Sequence, residues 1–159
     1  MVSTVRAAGD ELGAERRTRP PEVVLQNASG YPDVRPAALR SWLQELVAAL
    51  APDAVSLGVR FCGDRAMRSL NSDFRGRDAV TDVLSFPGGA SLEGRHLGDV
   101  VVCVPQARRQ AAERGEPLER EIKTLLLHGV LHCMGYDHDK DDGEMVRLER
   151  GLRRRWLKS

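Results

Sequence analysis

The chain has 159 residues, 42% hydrophobic and 30% charged, the composition of one globular domain with room for a proper core. A net charge of +1 excludes attraction of nucleic acid by the molecule as a whole, so any such contact must rest on local clusters. No apolar run approaches the ~18 residues of a membrane span, and three widely spaced cysteines, Cys62, Cys103 and Cys133, read as small buried hydrophobes of a reducing, cytoplasmic protein.

Residues 1–21 (MVSTVRAAGDELGAERRTRPP) lack the apolar core of a signal peptide, and Asp10, Glu11 and Glu15 argue against a transit peptide. With little to bury, this stretch is expected to be a disordered extension ahead of one domain over 22–159. Residues 23–26 predict a short strand. Pro36 then opens an amphipathic helix to residue 50, in the first-turn place proline favours. Residues 54–62 (AVSLGVRFC) alternate like a strand, and Asp64 is expected to cap a helix carrying Met67 and Leu70 toward the core. The polar, glycine-containing stretch 75–81 reads as a loop, 83–86 as a short strand stopped by Pro87, and PGGASLEGR as a turn. Residues 97–104 (LGDVVVCV) are nearly all apolar and β-branched, which predicts a central strand buried on both faces. Pro105 starts a helix to 114, Gly115 breaks it, and a second helix runs over 118–134. Asp141 or Asp142 caps a last helix with Met145, Leu148, Leu152 and Trp156 on its apolar side. The expected fold is α/β (α+β): a small mixed sheet of about four strands flanked by helices, with the 118–134 helix in the core.

Three of the four histidines fall in HGVLHCMGYDH. His128 and His132 are one helical turn apart on one face, close enough for both rings to reach one metal ion. A straight helix would carry a third ligand away from that face. Gly135 supplies the left-handed turn that ends a helix, after which Tyr136 and Asp137 bring His138 back to the same ion. Three neutral ligands leave a fourth tetrahedral position for water, the mark of a catalytic zinc. The isolated His96, in LEGRHLGD, reads as a surface residue, and Cys133 lies on a different helix face from His132.

The spacing is also that of the metzincin proteases, except that their general-base glutamate is replaced by Gly129. Glycine inside a helix costs about 1 kcal/mol relative to alanine, so it implies a need for space: another backbone or a bulky substrate approaching beside the metal. Peptide hydrolysis by the usual route loses its base. Two basic clusters stand out, Arg60, Arg65, Arg68, Arg75 and Arg77 in one segment and Arg153, Arg154, Arg155 and Lys158 at the C-terminus. The second also suits a helix C-terminus with no RNA involved.

The chain resembles the YbeY family, bacterial metal-dependent endoribonucleases of ribosomal RNA maturation. HGVLHCMGYDH is similar to the family's HGxLHLxGYDH, LNSDFRGRDAVTDVLSFP to its LNxxYRxKDxPTDVLSFP, and LGDVVVC to its LGDIxIC. The resemblance covers the chain from about residue 23 to the last helix. It implies one Zn2+ per chain held by His128, His132 and His138, with Arg75 the functional arginine opposite the metal. It further implies a single-strand-specific endoribonuclease that processes ribosomal RNA in late 16S 3′-end maturation and ribosome quality control, on the small ribosomal subunit and with ribosome-associated protein helpers. The departures are Phe74 for tyrosine, Arg77 for lysine, Val80 for proline and Cys133 for leucine. Arg75 has the paired donors to hold a phosphate. Asp137 is expected to orient a ligand histidine, and Asp99 to cap a loop or help line the site. Two rival readings share the metal: a metallopeptidase-like zinc hydrolase, and a ribosome assembly factor whose zinc is mainly structural.

Overall fold

The computed structural model describes residues 19–158. The expected disordered extension therefore lies, up to residue 18, outside the described residues. The elements follow in the order β1 (Glu22–Gln26), α1 (Pro36–Leu50), β2 (Ala54–Cys62), α2 (Asp64–Arg75), β3 (Val83–Pro87), β4 (Ala90–Ser91), β5 (Gly94–Cys103), α3 (Val104–Arg114), α4 (Leu118–Cys133) and α5 (Glu144–Trp156). Their pairing gives a mixed sheet in the order β1-β2-β5-β3: β1, β2 and β5 run parallel, and β3 lies antiparallel on β5. The two-residue β4 folds back on the start of β5, a strand within the stretch expected to be only a turn. The α/β class and its four principal strands are as expected.

Burial follows the sequence pattern. In β5, Leu97, Val100, Val102 and Cys103 are fully buried and Val101 nearly so, the behaviour of a central strand covered on both faces. Helix α1 buries Leu39, Leu43, Leu46 and Val47, one stripe at helical spacing, against β1. Helix α4 is polar in its first turns and largely buried from Thr124 on, burying Ile122, Leu125, Leu126, Leu127, Val130 and Leu131. It packs on β3 and β5 and touches α3 and α5, so it occupies the centre of the fold.

Gly129 explains how closely that helix approaches the sheet. A Cβ there would lie 2.7 Å from Val100 Cγ1 and 3.1 Å from Ser85 Oγ, so the space it leaves is filled by the sheet. Of the two expected reasons for a glycine there, close approach of another part of the chain or of a bulky substrate, the first holds: the neighbours are β5 and β3. Gly129→Ala is expected to lower stability, since overpacking a stiff, buried valine costs roughly 1–3 kcal/mol and better helix propensity returns only about 1 kcal/mol. Gly129→Glu, which adds a carboxylate with no partner in the same contact, is expected to cost more. Thermal unfolding of both variants decides this; an unchanged midpoint for Gly129→Glu would mean that helix and sheet part freely.

Of the two expected acidic caps, one differs and one holds. Gly63 occupies the N-cap of α2, and Asp64 sits in the first turn. Its carboxylate is taken by the paired donors of Arg109, at 2.7 and 3.0 Å, rather than by the helix's free N–H groups. Asp141 does cap α5, accepting from the Gly143 and Met145 backbone N–H groups at 2.8 and 3.0 Å. His96 is also not a simple surface residue. It lies on β5, bonded to Ser56 Oγ at 2.7 Å and to Asp99 Oδ2 at 3.3 Å.

Candidate metal centre

The C-terminal end of α4 builds the site by a local rule. Tyr136 N–H donates to the Leu131 carbonyl at 3.1 Å and Gly135 N–H to the His132 carbonyl at 3.0 Å, with Gly135 at φ 103°. This is a Schellman stop, which reverses the chain within three residues. It returns His138 to the face that carries His128 and His132. Ligand atoms of the three rings all lie within 4.8 Å of one another, and His128 Nε2 stands 3.0 Å from His132 Nε2. Tetrahedral zinc with bonds of 2.0–2.1 Å sets its ligand nitrogens roughly 3.3 Å apart, so the donor set and its convergence fit such an ion. Burial, and then the neighbouring His128 and His138, hold the His132 imidazole below its usual pKa, favouring the neutral form that a ligand needs. Cys133 is turned toward Gly98 in the sheet, and burial, with Asp99 nearby, pushes its thiol up to about 11. It is inert packing, as expected.

Two acidic residues are not where the sequence reading put them. Asp137 accepts from the Asp139 backbone N–H at 3.0 Å and stands 3.9 Å from Lys140, so it shapes its own turn and orients no ligand. Asp99 pairs with His96 beside Ser56 and Gly58, in a depression separate from His128, His132 and His138, and does not line the site. Two other carboxylates meet candidate ligands: exposed Asp139, with Oδ1 3.4 Å from His138 Nε2, and buried Glu149, on α5, with Oε1 3.0 Å from His128 Nδ1. Burial alone would raise its pKa, but the His128 hydrogen bond and the nearby Arg153 hold it below the usual carboxylate range. Sequence reasoning missed it. The available signal was its place four residues after Met145, a charge on the side of α5 that faces the core.

The triad opens into a cleft of about 700 Å³ that is also lined by the end of α2, the following loop and β3. Phe74, Arg75, Arg77 and the run from Thr81 to Phe86 line it together with the histidines and Asp139. Arg75 is thus brought to the same cleft as His128, His132 and His138, as expected, but from the last turn of a helix and not from a loop. Gly76, at φ 68°, ends that helix one residue later. The loop beyond is tied down by α2 itself. Buried Asn71 donates to the Ala79 carbonyl at 2.9 Å, and Arg68 makes paired bonds to Asp78 at 2.7 and 3.0 Å. Among the described residues, neither Arg75 nor Arg77 is paired with a carboxylate, so both present their charge to the cleft. Phe74 is 63% exposed, with its ring edge-to-face against Phe86 at 4.9 Å.

The model of the family described as Endoribonuclease YbeY matches residues 25–156. A protein named Endoribonuclease YbeY from Solibacter usitatus is 45% identical over 122 residues, covering 74% of this chain and 80% of its own. One of the same name from Aquifex aeolicus is 43% identical over 112 residues, covering 70% and 75%. The solution structure of TM1509 from Thermotoga maritima superposes with a TM-score of 0.56 at 28% identity, covering 81% of this chain and 85% of that one. The matched span runs from β1 through the histidine turn to the end of α5, and over that span this chain belongs to the endoribonuclease YbeY family.

Proposed function

We propose that this protein is a zinc-dependent endoribonuclease that cuts single-stranded RNA. We place it in ribosomal RNA processing, in late 16S 3′-end maturation and ribosome quality control, in the cytoplasm and with ribosome-associated helpers. The observation that carries the reading is the cleft itself, lined both by three converging histidines and by two arginines that, among the described residues, have no carboxylate partner. A zinc ion held by His128, His132 and His138 would supply Lewis-acid polarisation of a phosphoryl oxygen and a lowered pKa for a bound water. Arg75 supplies a planar pair of donors for the phosphate oxygens on the opposite side and stabilises charge that develops there. Gly129 stands where a metallopeptidase keeps its general base, and its position against Val100 leaves no space for one. No helix among the described residues is long and apolar enough to cross a membrane.

The test is purified protein against structured ribosomal RNA fragments, with and without chelator. Cleavage within single-stranded segments that stops on chelation and returns with zinc is expected; cleavage indifferent to chelator would remove the metal from the reaction.

Phe74 supports the single-strand preference. An exposed ring beside the phosphate-binding arginines offers a stacking face to an unpaired base, and one such contact is worth about 1–3 kcal/mol. Phe74→Ala is therefore expected to weaken binding of single-stranded RNA roughly 5- to 150-fold, with Phe74→Tyr close to the parent. Fluorescence anisotropy of a labelled oligonucleotide reads this, and equal affinity in all three proteins would remove the ring from recognition.

A further inference from the structure

One buried charge in the fold is not used by the cleft. Glu149 is 8% exposed and lies in the middle of α5, where burial of a carboxylate is costly unless it is fully partnered. Its polar contacts are His128 Nδ1 at 3.0 Å and Arg153 Nη2 at 3.5 Å. The second is long, and Arg153 is about half exposed, so the ion pair within the helix contributes little. The short contact is to the histidine.

We propose that Glu149 is a positioning residue for the metal centre, fixing the tautomer and ring orientation of His128 so that Nε2 offers its lone pair to the ion. The inference rests on the zinc reading above. An ionised carboxylate can only accept, so Nδ1 of His128 must carry the ring proton and donate it. Nε2 is then the bare nitrogen, and it is the atom that faces His132 Nε2 at 3.0 Å. A negative charge on the far side of the ring also raises the basicity of that nitrogen. The arrangement links two elements far apart in sequence: α5 delivers the carboxylate and α4 the histidine, and the two helices pack together, with Met145 buried one turn before Glu149. A carboxylate present only to pin α5 would need a partner anywhere on α4; this one meets the ligand ring at its second nitrogen.

The experiment compares zinc affinity, by competition with a chromophoric chelator, in the full chain and in Glu149→Gln, Glu149→Ala and Glu121→Gln. Glu121 is a suitable control, a fully buried carboxylate paired with Arg114 at 2.8 Å on the same helix as His128 but without contact to a ligand. Thermal unfolding of the metal-free proteins accompanies each measurement. Glu149→Gln keeps the shape and loses the charge, and is expected to bind zinc about 10- to 100-fold more weakly. Glu149→Ala should be at least as weak, while Glu121→Gln should lose thermal stability and keep the parent affinity. Unchanged affinity in Glu149→Gln would overturn the proposal, as would equal loss in Glu149→Gln and Glu121→Gln, which would make the role merely structural. Failure of the parent chain to bind zinc would instead overturn the metal reading itself, so the two failures are told apart.

Discussion

His128→Ala, His132→Ala and His138→Ala are each expected to lose most bound zinc and, with it, RNA cleavage. A site of three protein ligands has no spare donor. If zinc sites release about 10–16 kcal/mol over four ligands, one ligand accounts for about 2.5–4 kcal/mol, or roughly 70- to 800-fold in affinity. Mass spectrometry of the native proteins measures the loss, and near-stoichiometric zinc in all three variants would sink the assignment. The metal-free proteins should differ among themselves. His128→Ala strips Glu149 of its short hydrogen bond and leaves a buried carboxylate with only the 3.5 Å contact to Arg153, costing about 1–3 kcal/mol of stability. The His138 side chain is 44% exposed and sits on a turn, so its removal should cost under about 0.5 kcal/mol. Metal loss common to all three, with fold destabilisation confined to the first, separates the roles of ligand and support.

What could be read from the chain divides by range. Local chemistry was legible: Pro36 at the start of α1, the apolar run of β5, Asp141 ahead of α5, and above all Gly135, whose left-handed turn alone brings His138 back to a helix it has left. Each of these follows from bonds within a few residues. Contacts across the fold were not legible. The pattern of α4 marks position 129 as buried, but only the sheet packing identifies Val100 and Ser85 as what it meets. Asp64 was a good cap by type, yet Arg109, forty-five residues on, competes for its carboxylate with better paired geometry. His96 reads as exposed until β2 places Ser56 beside it across a parallel register. Glu149 is the instructive case. Periodicity places it toward the core, where a carboxylate needs a partner, but the partner is a histidine twenty-one residues earlier on another helix.

Arg75→Lys should be damaging although it keeps the charge. Arg75 leaves the last turn of α2 into the cleft, with no carboxylate among the described residues to occupy it. Its guanidinium offers parallel donors that match two phosphate oxygens, whereas lysine offers a single point charge on a more flexible stem. Losing one charge-assisted contact that forms in the transition state costs roughly 2–4 kcal/mol, or about 30- to 1000-fold in rate. The loss should appear in kcat as well as kcat/KM, because uniform substrate binding is not what is removed. Zinc content should stay at the parent level, since Arg75 is no ligand. Arg77→Lys is the matched control, a change of the same chemistry two residues away in the lining of the same cleft, and it should be nearly silent. Equal and small effects at the two positions would mean that Arg75 belongs to a diffuse basic surface, and the phosphate clamp opposite the histidines would have to be given up.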